Sequence, residues 1–251
     1  MKLTTKEILN ITHHRPWPLS QDKWKYYQEW NNSIFLHWQV DFDELSNLVH
    51  PDLEIDLFEG KPWVSLVAFD MEKIRPKSLP SASLISNFPE INIRTYVKYN
   101  GKSGVYFLSI EGAKRLSCNI AKSVSDLPYR FSTMSRKING FNSVNRKMID
   151  SFKMSYFVGD KIEEKRDLDH WLVERFALFQ DSGKYINEFQ IHHIEWPLYK
   201  VQLNELEISY PRFEKLLNNS PDEKHYSTGV QVIAWAKKKN RMICITNSSR
   251  I

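Results

Sequence analysis

Glu90-Ile91-Asn92-Ile93-Arg94-Thr95-Tyr96-Val97 alternates from one residue to the next, and Asn100-Gly101 follows it. Gly104-Val105-Tyr106-Phe107-Leu108-Ser109-Ile110 then returns. Asn-Gly between two alternating runs is the strongest short-range signal for a β-hairpin. Side chains in a strand point to opposite faces in turn. Glu90, Asn92, Arg94 and Tyr96 therefore share one face, and Ile91, Ile93, Thr95 and Val97 the other. A hairpin with one apolar face and one polar row needs a sheet to sit in, so the reading outward from it looks for more strands.

They are plentiful. Residues 33–40, 62–74, 152–158, 175–180, 189–193, 199–208 and 229–235 read as strands. Residues 55–58 read as a strand turning through Glu59-Gly60 into 62–74. Helices are few and short. Thr4-x-x-Glu7 is a capping box that opens one. Pro16 and Pro18 bar its continuation. Residues 22–30 and 43–49 read as two more, the latter capped by Asp41 or Asp43. Residues 113–124 are the best candidate, with Ala113, Leu116, Ile120, Ala121 and Val124 at helical spacing. Residues 168–173 form a helical turn. No linker or low-complexity stretch divides the chain. The expectation is one domain over residues 1–251, of α+β class, with a mostly antiparallel sheet.

Composition agrees with a packed sheet protein. The chain has 251 residues, 41% hydrophobic and 26% charged, with 13% aromatic residues and only 8 Gly. Aromatic residues favour strands. The net charge of +5 is spread over 35 basic and 30 acidic residues, and a nucleic-acid binder concentrates its charge. The one basic run, Lys237-Lys238-Lys239 with Arg241, reads as a solvated turn, so no nucleic-acid partner is expected. Residues 63–69 are the longest apolar-dominated run and are too short to span a membrane. The N-terminus has no apolar segment of a signal peptide. Cys118 and Cys244 lack metal or redox spacing and read as buried apolar residues of a reducing compartment. A cytoplasmic protein without a membrane partner is expected.

At this point several blocks become familiar. HRPWP (14–18), FLHW (35–38), IDLFEGKPWVSLVAFDMEKIRPK (55–77), FPEINIRTYV (88–97), GVYFLSIE (104–111), LPYR (127–130), ERFALF (174–179) and IHHIEWPL (191–198) resemble the signature blocks of the YqjF-like uncharacterised proteins. That family is a remote relative of acetoacetate decarboxylase. The resemblance implies a cone-shaped β-barrel with a pocket inside it and a few short peripheral helices. It also implies that Glu90 is the counterpart of an active-site glutamate. The decarboxylase uses a lysine pair after Phe-Pro to form an imine. Here Leu127-Pro128 is followed by Tyr129-Arg130. A phenol forms no imine, and a guanidinium stays protonated. Acetoacetate decarboxylase activity is therefore not expected. The decarboxylase relatives leave a homo-oligomer open, and no residue here predicts its interface.

The candidate site follows from the polar row. Glu90 and Tyr129 are the candidate catalytic groups. Arg94, Asn92 and Tyr96, with His37 and His193, are candidate ligand-binding residues. A carboxyl, an amide, a guanidinium and a phenol on one face offer an acid–base group, orienting donors and an anion clamp. The competing reading is a structural network in which Arg94 pairs with Glu90. The histidines lack metal-ligand spacing, so no metal is expected. GxGxxG, P-loop and GxSxG patterns are missing, and no cofactor is expected. The chain reads as a binder of a small organic acid or carbonyl compound. Non-imine lyase or isomerase chemistry is one role, and a non-catalytic sensor or interaction module is the other. Glu174-Arg175 reads as a local ion pair. His13-His14-x-x-Trp17-Pro18-Leu19 recurs as His192-His193-x-x-Trp196-Pro197-Leu198, which reads as coincidence or as similar packing of two strand ends.

Overall fold

A computed structural model describes residues 2–242. The chain opens with α1 (Thr5–Asn10), whose Thr4/Glu7 capping box is fully formed. Then come β1 (Tyr26–Gln39), α2 (Phe42–Ser46), β2 (Glu54–Ile55), β3 (Trp63–Pro76), α3 (Ser83–Ser86), β4 (Phe88–Tyr99) and β5 (Lys102–Gly112). The middle holds α4 (Arg115–Ser125), β6 (Tyr129–Phe131), β7 (Thr133–Lys137), β8 (Gly140–Asn145), β9 (Asp150–Lys161) and α5 (Asp167–Val173). The chain ends with β10 (Ala177–Ser182), β11 (Tyr185–His192), β12 (Leu198–Ser209), α6 (Glu214–Leu217), β13 (Glu223–Ala234) and β14 (Lys238–Arg241). The fold is α+β and mostly antiparallel, as the sequence predicts.

The strand order explains the barrel. Neighbours run β11-β10-β5-β4-β3-β1-β13, and β13 pairs back onto β11 through Ile191↔Ala234 and His192↔Ile233. That second pairing closes a ring of seven strands, which removes the exposed edges. β12, β9, β8 and β7 continue from β13 as a flap, while β14 pairs with β11. The β4–β5 hairpin turns at Asn100 and Gly101, both at positive φ (50° and 72°). Two successive positive φ values are what a type I′ hairpin turn requires, and Asn-Gly adopts them at low cost.

Both faces of β4 are buried. Ile91, Ile93 and Val97 enter one core cluster with Ile34, Leu36 and Phe152. Phe88 and Tyr96 enter a second, with Phe35, Trp63, Leu172 and Trp196. The polar row of β4 lies on this second side. Burying a Phe or Leu side chain stabilises by about 1.5–3 kcal/mol, so the apolar neighbours hold the polar row in place.

Several expectations are corrected. Residues 22–30 form no helix. β1 starts at Tyr26, and its buried position Glu29 is satisfied by Lys2, Lys73 and Tyr27. Residues 55–58 turn back through a Phe58↔Lys61 bridge, but β2 pairs with β4 rather than with β3. On α4 the apolar stripe faces outward: Leu116 is 60% exposed and Val124 51%. The helix packs through Ser117 and Cys118 instead, whose side chains donate to the carbonyls of Ile85 and of Gly112 and Arg130. The basic run is not a turn, since Lys238 and Lys239 pair with Glu188 and Asn187 as the edge strand β14. Cys118 is buried as expected, and Cys244 lies outside the described residues. Among the described residues no helix is long and apolar enough to cross a membrane.

Candidate functional site

The row on β4 runs from Glu90 to Tyr96, and its four members meet different environments. Glu90 lies opposite Phe69 of β3 and Gly112 of β5. It is 2% exposed. The Tyr129 hydroxyl donates to its Oε2 at 2.9 Å. β6 brings Tyr129 there by running parallel to β5, with Tyr129 opposite Ile110. Burial pushes the Glu90 carboxyl up to about 8, against smaller opposing effects of Tyr129 and Asn92. At neutral pH this carboxyl is mostly protonated, and so can donate a hydrogen bond. Burial also pushes the Tyr129 phenol well above its usual range, and the Glu90 charge adds to that. Tyr129 therefore stays a donor.

Arg94 lies between Ser65 of β3 and Phe107 of β5. It is 9% exposed. Its Nη2 reaches the Leu172 carbonyl only at 3.5 Å, and its Nε has no partner. The guanidinium carbon lies 5.8 Å from the Phe35 ring centroid. No carboxylate among the described residues forms an ion pair with it, so the expected alternative of an Arg94–Glu90 pair is not realised. Asn92 is buried between the two, and its Oδ1 also has no partner. Burying an unpaired cation and an unpaired amide oxygen is costly. A site that receives a ligand is one physical reason for such an arrangement.

Tyr96 is a neighbour of Arg94 and also belongs to a second system. Its hydroxyl lies 2.5 Å from Ser65 Oγ and donates to the Leu172 carbonyl at 2.9 Å. Ser65 Oγ lies 2.6 Å from Nδ1 of His37. Nε2 of His37 lies 3.3 Å from Nδ1 of His225, and Nε2 of His225 lies 3.1 Å from Oδ1 of Asp169. His37 is fully buried in this chain, with its basicity lowered well below normal by burial and then by His225 and Arg94. Burial acts to raise the Asp169 carboxyl, yet hydrogen bonds from His225 and Arg166 outweigh it and hold it below the usual carboxylate range.

His193 is not part of the row. Its ring nitrogens face the carbonyls of Ile194 and Arg175, and it stacks on Phe176 at 4.8 Å. Arg130 points away from Glu90 and donates to Ser109 Oγ at 3.1 Å. Glu174 and Arg175 do not pair with each other. Glu174 meets Lys165, and Arg175 makes a buried pair with Asp56 at 2.6 Å. The two histidine echoes pack side by side, with His14 stacked on His192 at 5.7 Å.

Three residues near the site escape sequence reading, and a fourth, Cys118, was read only as a buried apolar residue. Ser65, Asp169 and His225 carry no local motif, and only the barrel brings them together. Cys118 lies near Glu90, and burial followed by the Glu90 charge raises its thiol to about 11. Asp169, Glu223 and His225 have their donor atoms within 4.8 Å of one another, as metal ligands would. However, the Arg166 guanidinium donates to both carboxylates, at 2.6–3.1 Å, and supplies the positive charge.

The fold and this geometry can be set beside known proteins. An acetoacetate decarboxylase from Legionella pneumophila superposes with a TM-score of 0.63 at 12% identity, over 96% of this chain and 97% of that one. The enduracididine biosynthesis enzyme MppR, in complex with pyruvate, has a TM-score of 0.59 at 12% identity, over 90% and 93%. At such identities the likeness shows the fold alone. In sequence, the uncharacterized protein YqjF of Bacillus subtilis (strain 168) is 34% identical over 227 residues, covering 86% of this chain and 93% of YqjF. Residues 27–231 match the family model DUF2071, described as an uncharacterized conserved protein. The resemblance read from the sequence blocks holds, and the chain belongs to the DUF2071 family, with the fold of acetoacetate decarboxylase.

Proposed function

We propose that the protein binds a small organic acid that carries a carbonyl group, on the polar row of β4. Arg94 is the observation that carries this reading: a buried guanidinium with no carboxylate partner and a free Nε. A carboxylate ligand satisfies both needs at once through charge-assisted hydrogen bonds. Asn92 then orients the ligand, and Glu90 addresses its carbonyl oxygen as a donor. The pyruvate bound by MppR, on a similar fold, is of the same chemical class.

Acid–base lyase or isomerase chemistry suits this set. A carboxyl at about 8 can both give and take a proton near neutrality. Tyr129, held on Glu90, is a hydrogen-bond donor and a local orienter. Imine chemistry is not proposed, because the residues after Leu127-Pro128 are Tyr129 and Arg130, and neither a phenol nor a guanidinium forms an imine.

A thermal-shift panel of 2-oxo and 3-oxo acids with their methyl esters tests the reading. A ligand at 100 times its Kd stabilises by about 2.7 kcal/mol. The free acids should raise Tm and the esters should not. Equal shifts from acid and ester, or no shift from either, overturn it. Glu90→Gln then separates the two roles. Turnover collapses in an enzyme, while affinity barely changes in a sensor.

A further inference from the structure

The chain Asp169–His225–His37–Ser65–Tyr96 ends on the Leu172 carbonyl and is linked end to end by five contacts, while a longer one, Tyr96 Oη to His37 Nδ1 at 3.4 Å, shares the proton of the His37–Ser65 contact. Each contact needs one proton between its two atoms. The neutral side chains of His225, His37, Ser65 and Tyr96 bring one each, which is one too few. Ser65 and Tyr96 lie oxygen to oxygen at 2.5 Å, and His37 and Ser65 at 2.6 Å. Neither gap tolerates facing lone pairs. With four protons the deficit falls on the longest contact, the 3.3 Å gap between the two imidazoles.

We propose that a fifth proton is held between His225 and His37, over Asp169, and that it couples a surface cleft to the anion site at Arg94. The coupling rests on the reading of Arg94 given above, whereas the proton itself does not. With five protons every contact in the chain is satisfied in one direction. Asp169 faces the His225 end, and Arg94 lies on the His37 side. The fifth proton therefore lies in the gap between the two rings, toward the Asp169 end. Its entry is open: Asp169, His225, Arg166, Glu223 and Lys200 line a cleft of about 460 Å³.

The charges around the ring pair are few. Asp169 and Arg166 lie on the α5 side, Glu223 and Lys224 on β13, and Lys200 on β12. Glu164 completes the cleft, and Arg94 on β4 is the inner cation. Asp169 and Glu223 balance Arg166 and one imidazolium. Loss of the proton leaves a net negative chain beside Arg94 and weakens its hold on an anion. The contacts through Ser65 and Tyr96 to the Leu172 carbonyl, which Arg94 also approaches, keep their protons, so the loss reaches Arg94 through charge alone.

The test counts protons. In ¹⁵N-histidine NMR of the protein at pH 7, the two rings, assigned with His225→Gln and His37→Gln, should carry three exchange-protected N–H protons between them. Asp169→Asn should reduce that to two. Two N–H protons in the wild-type protein overturn the proposal. The coupling is read from pyruvate affinity of the wild-type protein and of Asp169→Asn, at pH 7 and at the higher pH where the wild-type count has fallen to two, since Glu90 titrates in both proteins. One linked proton weakens wild-type binding by about tenfold per pH unit once it is released. Equal pH profiles in the two proteins, with three protons present in the wild-type protein at pH 7, overturn the coupling. No pyruvate binding by the wild-type protein at pH 7 overturns the anion-site reading, and with it the coupling, while the proton count stands or falls separately.

Discussion

The Tyr129 hydroxyl donates to Glu90 Oε2 across 2.9 Å, although both groups are withdrawn from water. The bond favours the ionised form of Glu90, against the larger effect of burial. Tyr129→Phe removes that support, so the carboxyl should titrate above its present value of about 8. A ¹³C carboxyl titration of the variant checks this. A midpoint that stays or falls would show that the phenol does not set the acidity of Glu90.

Glu90 also sets a pH dependence of stability. Its ordinary value is 4.5, and in the fold it stands at about 8. Between those values the folded state keeps a proton that the unfolded chain has lost. Stability contributed by the neutral carboxyl is therefore complete below pH 4.5 and is lost as pH rises to about 8. The linked cost is on the order of 5 kcal/mol. Urea unfolding of Glu90→Gln should lack this decline between pH 5 and 8. A variant that declines as steeply as the wild-type protein contradicts the assignment.

Arg94 should trade stability for binding. An unpaired buried charge opposes folding, and an apolar residue of similar volume removes that cost. Arg94→Met should raise Tm by several degrees, or about 1–3 kcal/mol, in calorimetry without ligand. A fall in Tm would mean that Arg94 is part of the structural framework rather than a binding group.

Arg175 and Asp56 give the opposite expectation. They pair at 2.6 Å with both side chains buried, and the Arg175 guanidinium lies 4.2 Å from the Trp171 ring centroid. Removing one partner of a buried pair leaves the other uncompensated, at a cost of about 3–5 kcal/mol. Asp56→Ala should lose that much in urea unfolding, and a loss below 1 kcal/mol would contradict it.

The comparison of sequence with structure turns on which residues obey simple periodicity. The β4–β5 hairpin was legible because Asn100-Gly101 and the alternation agree. The face shared by Glu90, Asn92 and Arg94 followed from the same period of two. The start of β1 was not, because its buried position holds the charged Glu29, which Lys2, Lys73 and its strand neighbour Tyr27 satisfy. α4 misled in the other direction, since its buried face is carried by Ser117 and Cys118 through hydrogen bonds. The Asp169–His225–His37 chain joins residues 132 and 188 positions apart in pairs with His37, and no local pattern encodes that meeting. Among the histidines, His37 was a candidate from the sequence, yet its partner His225 was invisible until β1 paired with β13.

On the function proposed above, Arg94 holds the carboxylate of a small oxo acid. Isothermal titration of pyruvate and acetoacetate into the wild-type protein and into Arg94→Gln tests it most directly. Saturable binding to the wild-type protein, weakened at least about tenfold in a folded Arg94→Gln, is the predicted result and corresponds to about 1.4 kcal/mol. Equal affinity in both proteins, or no binding of either acid to the wild-type protein, would contradict it.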